Sequence, residues 1–158
     1  MDASGNVYVL DALPRVQEFT PGGTFITQFG QPGFADGQLT GPSGIALDRA
    51  GNIYVADAAQ NRVQEFSPAG AFVMSFGQGL LQRPGYLAFD ASGDLLVSDA
   101  GNARVARFSA TGEFVGAIGA PGSADGQFVE TQGLGIDPAG NLFVVDARPR
   151  VEKFRFVP

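Results

Sequence analysis

Cysteine and histidine are both absent from the 158 residues. Without cysteine there are no disulfides, no thiolate metal sites and no thiol nucleophile. The missing histidine excludes more, because it removes the commonest general base, the commonest metal ligand and every histidine-based triad. Lysine occurs once, at Lys153, and the net charge is -6. A uniformly basic surface is therefore excluded, which weighs against nucleic-acid binding, since that affinity comes from clustered Lys and Arg. No apolar run approaches the ~20 residues needed to span a bilayer as a helix. The opening MDASGNVYVLD has neither a basic start nor an apolar signal segment. The compartment stays open, because a signal ahead of these residues would not be visible.

What is present is periodic. Hydrophobic residues make up 44% of the chain, enough for a packed core, and the 23 Gly and 10 Pro fall between short apolar runs as turn punctuation. DASGNVYVLD at Asp2 to Asp11 returns as DRAGNIYVAD at Asp48 to Asp57, DASGDLLVSD at Asp90 to Asp99 and DPAGNLFVVD at Asp137 to Asp146. The closing aspartates are 46, 42 and 47 residues apart. A period in this range marks a propeller or solenoid, whose units must stack to bury their faces.

Gly41 to Gly77 is the fullest copy. It predicts strands at Ile45–Leu47, Ile53–Ala56, Arg62–Phe66 and Phe72–Phe76, separated by turn residues. Four strands in about forty residues make a propeller blade. Asp48, Gly51 and Asn52 suit the first hairpin, and the same reading makes Asp90, Gly93 and Asp94 turn residues in preference to a calcium loop, which needs six to eight oxygens. FTPGGTF, FSPAGAF and FSATGEF each place Gly between two Phe six residues apart, at Phe19 and Phe25, Phe66 and Phe72, and Phe108 and Phe114. These rings are expected to pair across the hairpin or between blades, as core. Two long connections, Gln31 to Gly44 and Ala120 to Gly133, share PGxADGQ, whereas Gln78 to Gly85 is short. Asp36 and Asp125 in the long ones read as turn residues.

The apolar GIAxD strand, GNIYVAD, the turn ending in Arg-Val-Gln-x-Phe, and the FG end of Gly44 to Gly77 resemble the NHL-repeat family of β-propellers. The Asn-His-Arg turn of that family is altered in every copy: Gln60-Asn61-Arg62, Asn102-Ala103-Arg104, and the shorter Leu13-Pro14-Arg15 and Arg148-Pro149-Arg150. The expected fold is all-β, a propeller arc of about four four-stranded antiparallel blades, incomplete at both ends. Repeats are placed at about 1–30 (without an inner strand), 41–77, 83–119 and 131–158 (without an outer strand), with spacers 31–40, 78–82 and 120–130. The resemblance implies a fragment of a propeller of about six blades; association of two copies to close a ring is the alternative.

The strongest repeated polar pairs are Asp57 with Arg62, Asp11 with Arg15, Asp99 with Arg104, and Asp146 with Arg150. They are expected to meet as ion pairs fixing each hairpin, or to line one face and receive phosphate or carboxylate. No catalytic, cofactor or metal residue stands out, and no cofactor is expected. The function expected is a scaffold that binds a protein or carbohydrate partner through the propeller face and its loops. A lyase- or hydrolase-like propeller with an axial divalent cation is the alternative in the enzyme class, and an RNA-binding propeller is the second alternative.

Overall fold

A computed structural model describes residues 1–155. Asp48 shows how a hairpin starts: its Oδ1 accepts from the backbone N–H groups of Ala50 at 2.8 Å and Asn52 at 2.9 Å. Asp2, Asp90 and Asp137 accept from the equivalent amides of their own turns. The carboxylate replaces water for two turn amides and reverses the chain, so the apolar run on either side pairs with itself.

Four antiparallel sheets follow in chain order. The first has three strands, β1 (Val7–Asp11), β2 (Arg15–Phe19) and β3 (Phe25–Phe29). A two-residue parallel pair follows it, β4 (Gln31–Pro32) with β5 (Gln38–Leu39). The second sheet is β6 (Pro42–Leu47), β7 (Ile53–Asp57), β8 (Arg62–Phe66) and β9 (Phe72–Phe76). The third is β10 (Pro84–Phe89), β11 (Leu95–Asp99), β12 (Arg104–Phe108) and β13 (Phe114–Ile118). A second parallel pair, β14 (Ala120–Pro121) with β15 (Gln127–Phe128), leads to the fourth sheet. That sheet is β16 (Thr131–Ile136), β17 (Asn141–Asp146) and β18 (Arg150–Arg155). The sheets stack side by side as blades of an open arc, with no closed sheet among the described residues. Three of the four residues RFVP, from Phe156 on, lie outside the described residues, and with them any judgement on an outer strand there.

The second blade matches the expected strands except at its inner edge. β6 starts three residues before Ile45, at Pro42, because a register break at Ser43 lets the pairing continue past the irregularity. Each inner strand carries such a break at its start. Gly85 and Tyr86 face Ser98 alone, and Gln132 is the extra residue of β16.

The core is three clusters, each lying between successive blades. Val16 and Leu39 pack with Ile53, Val55 and Phe66; Tyr54, Val63 and Phe76 with Leu95, Val97 and Phe108; Leu96 and Val105 with Phe128, Leu142 and Val144. The phenylalanine rings do both things expected of them. Phe19 and Phe25, Phe66 and Phe72, and Phe108 and Phe114 meet edge-to-face within hairpins at 6.0, 6.4 and 5.7 Å. Phe29 meets Phe66 at 5.2 Å and Phe76 meets Phe108 at 5.1 Å across blade boundaries. The expectation that all six hairpin rings are core is corrected: Phe66 and Phe108 are buried, but Phe25, Phe72 and Phe114 are exposed. They sit at the start of outer strands, where no fifth strand covers them.

The glycine that ends each complete outer strand has a packing cause. Gly30, Gly77 and Gly119 have φ of 73°, 91° and 81°, and a Cβ there would come within 2.8, 2.5 and 2.2 Å of Leu39, Leu81 and Phe128. Each crossover thus drops one buried apolar side chain onto the glycine where it leaves the blade.

Candidate functional site

Strand direction puts the β2-, β8-, β12- and β18-leading turns and all three crossovers on one face of the arc. The hairpins that begin at Asp2, Asp48, Asp90 and Asp137 lie on the other. The crossover face holds all four of the repeated Asp and Arg pairs.

Three of the four pairs form. Arg15 Nη2 lies 2.7 Å from Asp11, Arg104 Nε 2.8 Å from Asp99, and Arg150 Nε 3.1 Å from Asp146. Asp57 and Arg62 are register partners across their hairpin, but their charges part company. Asp57, fully buried, accepts from the amides of Thr40 at 3.0 Å and Gly41 at 2.9 Å and from Gln60 Nε2 at 3.0 Å. Arg62 instead reaches Asp36 at 3.0 Å and the carbonyls of Ala35 and Gln38 at 2.9 and 3.1 Å. So Asp36 is more than a turn residue: it receives a buried arginine. Besides two crossover amides Asp57 accepts from Gln60 of its own turn, and the long spacer offers Arg62 an acid and two carbonyls.

The same logic recurs in the other long spacer. Arg150 donates to the carbonyls of Ser123, Ala124 and Gln127, and Asp146 accepts from the amides of Val129 and Glu130 at 3.0 and 3.1 Å. Burial pushes the Asp146 carboxyl up, but these amides and Arg150 outweigh it and hold its pKa below the usual value. Arg15 likewise holds Asp11 low. Gln38 and Gln127 close their own loops by accepting from Ala35 at 3.1 Å and from Ser123 and Ala124 at 3.1 Å. The shared PGxADGQ is a loop clipped from inside by its glutamine and from below by an arginine. Arg104 lacks such a loop and donates to the Leu80 carbonyl at 2.9 Å.

The same face carries an opening. A solvent-open cleft of about 690 Å³ lies over the starts of the inner strands β6, β10 and β16. All three inner-strand register breaks reach it, through Ser43, Gly85 with Tyr86, and Gln132. Breaks of this kind re-aim side chains, and here they converge. Ser43 Oγ, Ser98 Oγ and Thr131 Oγ1 are spent on backbone groups: Ser43 donates to the Pro84 carbonyl at 2.7 Å, Ser98 accepts from the Tyr86 amide at 2.9 Å, and Thr131 donates to the Arg104 carbonyl at 3.4 Å. Arg83, Tyr86, Glu130 and Gln132 are the side chains left to meet a ligand.

Arg83 is held there against its backbone preference. Its φ is 49°, and Asn61 Oδ1 accepts its amide at 2.8 Å, while its guanidinium lies 3.1 Å from Glu130 Oε1. A long side chain in the left-handed region costs about 1–3 kcal/mol and persists where surrounding contacts over-determine it. Asn61 is itself left-handed, φ 52°, in the longer turn of its blade. Tyr86 is 53% exposed and lines the cleft, with its amide fixed by Ser98.

The eight sequence-selected residues thus surround the cleft's face without lining it, and none of the four cleft side chains was singled out. Their signal was available in the repeat alignment. Arg83 and Glu130 stand where the second copy has Gly41, and Tyr86 stands where it has Gly44. Tyr86 departs from a column that is otherwise glycine, Gly44 and Gly133, whereas the column of Gly41, Arg83 and Glu130 has no two residues alike.

On the opposite face the openings are different in kind. The one between the first two blades, about 520 Å³, is lined by turn residues such as Asp2, Asp48 and Gly51, whose carboxylates already serve their hairpins. Among the described residues no cluster of three or more acidic side chains has the arrangement of a metal site, and no helix is long and apolar enough to cross a membrane.

No curated protein matches the chain significantly. Solved structures do. A protein of unknown function from Bacteroides caccae superposes with a TM-score of 0.73 at 19% identity, over 91% of this chain and 53% of the other. Virginiamycin B lyase from Staphylococcus aureus gives 0.72 at 16%, over 98% and 53%. The WD40 propeller domain of Doa1 gives 0.71 at 12%, over 97% and 47%. The chain spans about half the length of these structures, and at such identities the likeness is one of fold. The NHL-repeat family description matches residues 39–66, which run from the end of one crossover through β8. The chain is therefore a run of β-propeller blades in which residues 39–66 match the NHL-repeat family.

Proposed function

We propose that this chain is a non-catalytic ligand-binding propeller segment whose recognition surface is the crossover face, centred on the cleft above β10. The observation that carries this reading is the convergence of three inner-strand register breaks and three non-repeat side chains, Arg83, Tyr86 and Glu130, on one opening. The repeated Asp and Arg side chains are bonded to their own turns and crossovers, whereas Arg83 and Glu130 pair with each other at the cleft and the Tyr86 side chain is exposed there. The volume lies in the range of small-ligand sites.

The catalytic alternative has less behind it. A histidine-to-alanine form of virginiamycin B lyase is catalytically inactive, and the 158 residues here contain no histidine. RNA binding requires a basic face, and the cleft pairs its arginine with a glutamate.

Thermal shift tests the reading, using soluble oligosaccharides, short peptides, calcium and magnesium as probes. A ligand that binds only the folded state at one hundred times its Kd raises stability by about 2.7 kcal/mol. The expected result is stabilisation by an organic probe that is lost in the Arg83→Ala/Tyr86→Ala double variant and retained in Arg49→Ala on the opposite face. Stabilisation by calcium or magnesium alone, unchanged in the double variant, would overturn it and favour the axial-cation alternative.

A further inference from the structure

Resting on that reading, the geometry points to a more specific occupant: we infer that the cleft takes a neutral saccharide ring lying on Tyr86, its hydroxyls bonded by Arg83, Glu130 and Gln132. Four observations lead there. The first is charge. Arg83 and Glu130 lie 3.1 Å apart and cancel, so the cleft has no net charge to attract an ion. A carboxylate ligand would have to displace Glu130, and a metal ion would have to displace Arg83.

The second is the aromatic surface. Tyr86 is the exposed one of the three tyrosines: Tyr54 is 4% exposed and Tyr8 is half-buried beneath Glu18, whereas Tyr86 is 53% exposed. A flat apolar ring with a polar tip matches a pyranose, which offers C–H groups on one face and hydroxyls around its rim.

The third is the donor and acceptor set. Arg83 presents a planar fork of donors, Glu130 accepts on two oxygens, and Gln132 does both. Vicinal hydroxyls each donate and accept, so planar side chains that bond two neighbouring hydroxyls at once suit a polyol better than single hydroxyls do. Ser43, Ser98 and Thr131, which offer single hydroxyls, are already committed to the backbone.

The fourth is preorganisation. The Tyr86 amide is fixed by Ser98, and Arg83 is fixed by Asn61 in an unfavourable backbone conformation. Placing a ligand-binding arginine in advance lowers the ordering cost on binding. The cleft is open to solvent and not enclosed, which suits a chain of sugars as well as one unit.

The chain's own spectroscopy supplies the assay. It has no tryptophan and three tyrosines, so a sugar stacking on Tyr86 changes the intrinsic tyrosine emission directly. Maltohexaose, cellohexaose and chitohexaose are the probes, with hexagalacturonate as an anionic control. The expected result is saturable change with at least one neutral oligosaccharide, a tenfold or greater loss of affinity by calorimetry in Tyr86→Ala, near-retention in Tyr86→Phe, and several-fold loss in Gln132→Ala. Circular dichroism confirms that each variant folds, and the exposed position of Tyr86 favours that outcome. Undiminished binding in Tyr86→Ala, preference for hexagalacturonate, or no response to any neutral probe overturns the inference. Peptide binding that depends on Tyr86 overturns the saccharide and leaves the cleft reading standing; if no probe of any class responds to the cleft variants, both fall.

Discussion

Asp57 gives up all its water on folding and receives three donors in return, from Thr40, Gly41 and Gln60. Removing the carboxylate strands two amides beneath the crossover, and an unsatisfied buried group costs about 1–3 kcal/mol. We therefore expect Asp57→Ala to lower the stability measured by urea unfolding by roughly 3 kcal/mol, and Asp11→Ala, at a partly exposed pair, to lower it by clearly less. Equal losses would mean the crossover amides find other partners. Glu65 makes the opposite case. Burial and the nearby Asp48 raise its pKa above 4.5, while the Tyr54 hydroxyl hydrogen-bonds it and pulls the other way. A carboxyl that binds its proton more tightly when folded contributes stability below pH 4.5 and loses that contribution as pH rises through its folded pKa. Glu65→Gln should match the parent near pH 4 and exceed it in melting temperature at pH 7. A gap that is constant with pH would remove titration as the cause. In the next two blades the same repeat position holds Arg107 and Lys153, and these cations face acids: Arg107 lies 3.0 Å from Asp90 and Lys153 4.0 Å from Asp137.

The β8–β9 and β12–β13 hairpins carry the contact that joins one blade to the next. Gly70 and Gly112 have φ of 78° and 76°, and an added Cβ would meet the rings of Phe29 at 2.7 Å and Phe76 at 3.0 Å. Gly23, in the matching hairpin of the first blade, has φ 83° and nothing within 4 Å. Alanine at Gly23 should cost only the left-handed penalty of about 1–2 kcal/mol. Gly70→Ala should cost distinctly more, and the difference in unfolding free energy measures the blade contact alone. If the two substitutions cost the same, the rings move aside freely. These hairpins and strands were legible in the sequence because their causes are local: an Asx turn at Asp48, a glycine between two Phe, and short runs of β-branched and aromatic residues between turn signals. The destination of Arg62 was not, because Asp36 comes to it on a spacer folding back from the previous blade, a contact 26 residues away in sequence. The cleft was legible only as exceptions. Repetition draws the eye to shared columns, whereas Tyr86 breaks a glycine column and Arg83 and Glu130 stand in a column with no shared residue.

Across the whole arc, stability is a chain of neighbour contacts, so its depth varies with position. Every residue of β7, β8 and β11 is buried, whereas β3 and β18 alternate with solvent or face it. Amide exchange should be slowest in β7, β8, β11 and β12 and fastest in β3 and β18, in the order set by burial and not by hairpin length. Uniform protection across all four sheets would instead mark one indivisible unit. The unequal crossovers have a consequence of another sort. The two long ones are self-clipped loops anchored by Arg62 and Arg150, and they lie on the third strands of the blades they enter, so none of their PGxADGQ residues lines the cleft. Loop and cleft are thus separate parts of one face. Exchanging PGFADGQ for another sequence changes the rim of the arc and leaves the cleft at the inner-strand starts as it is.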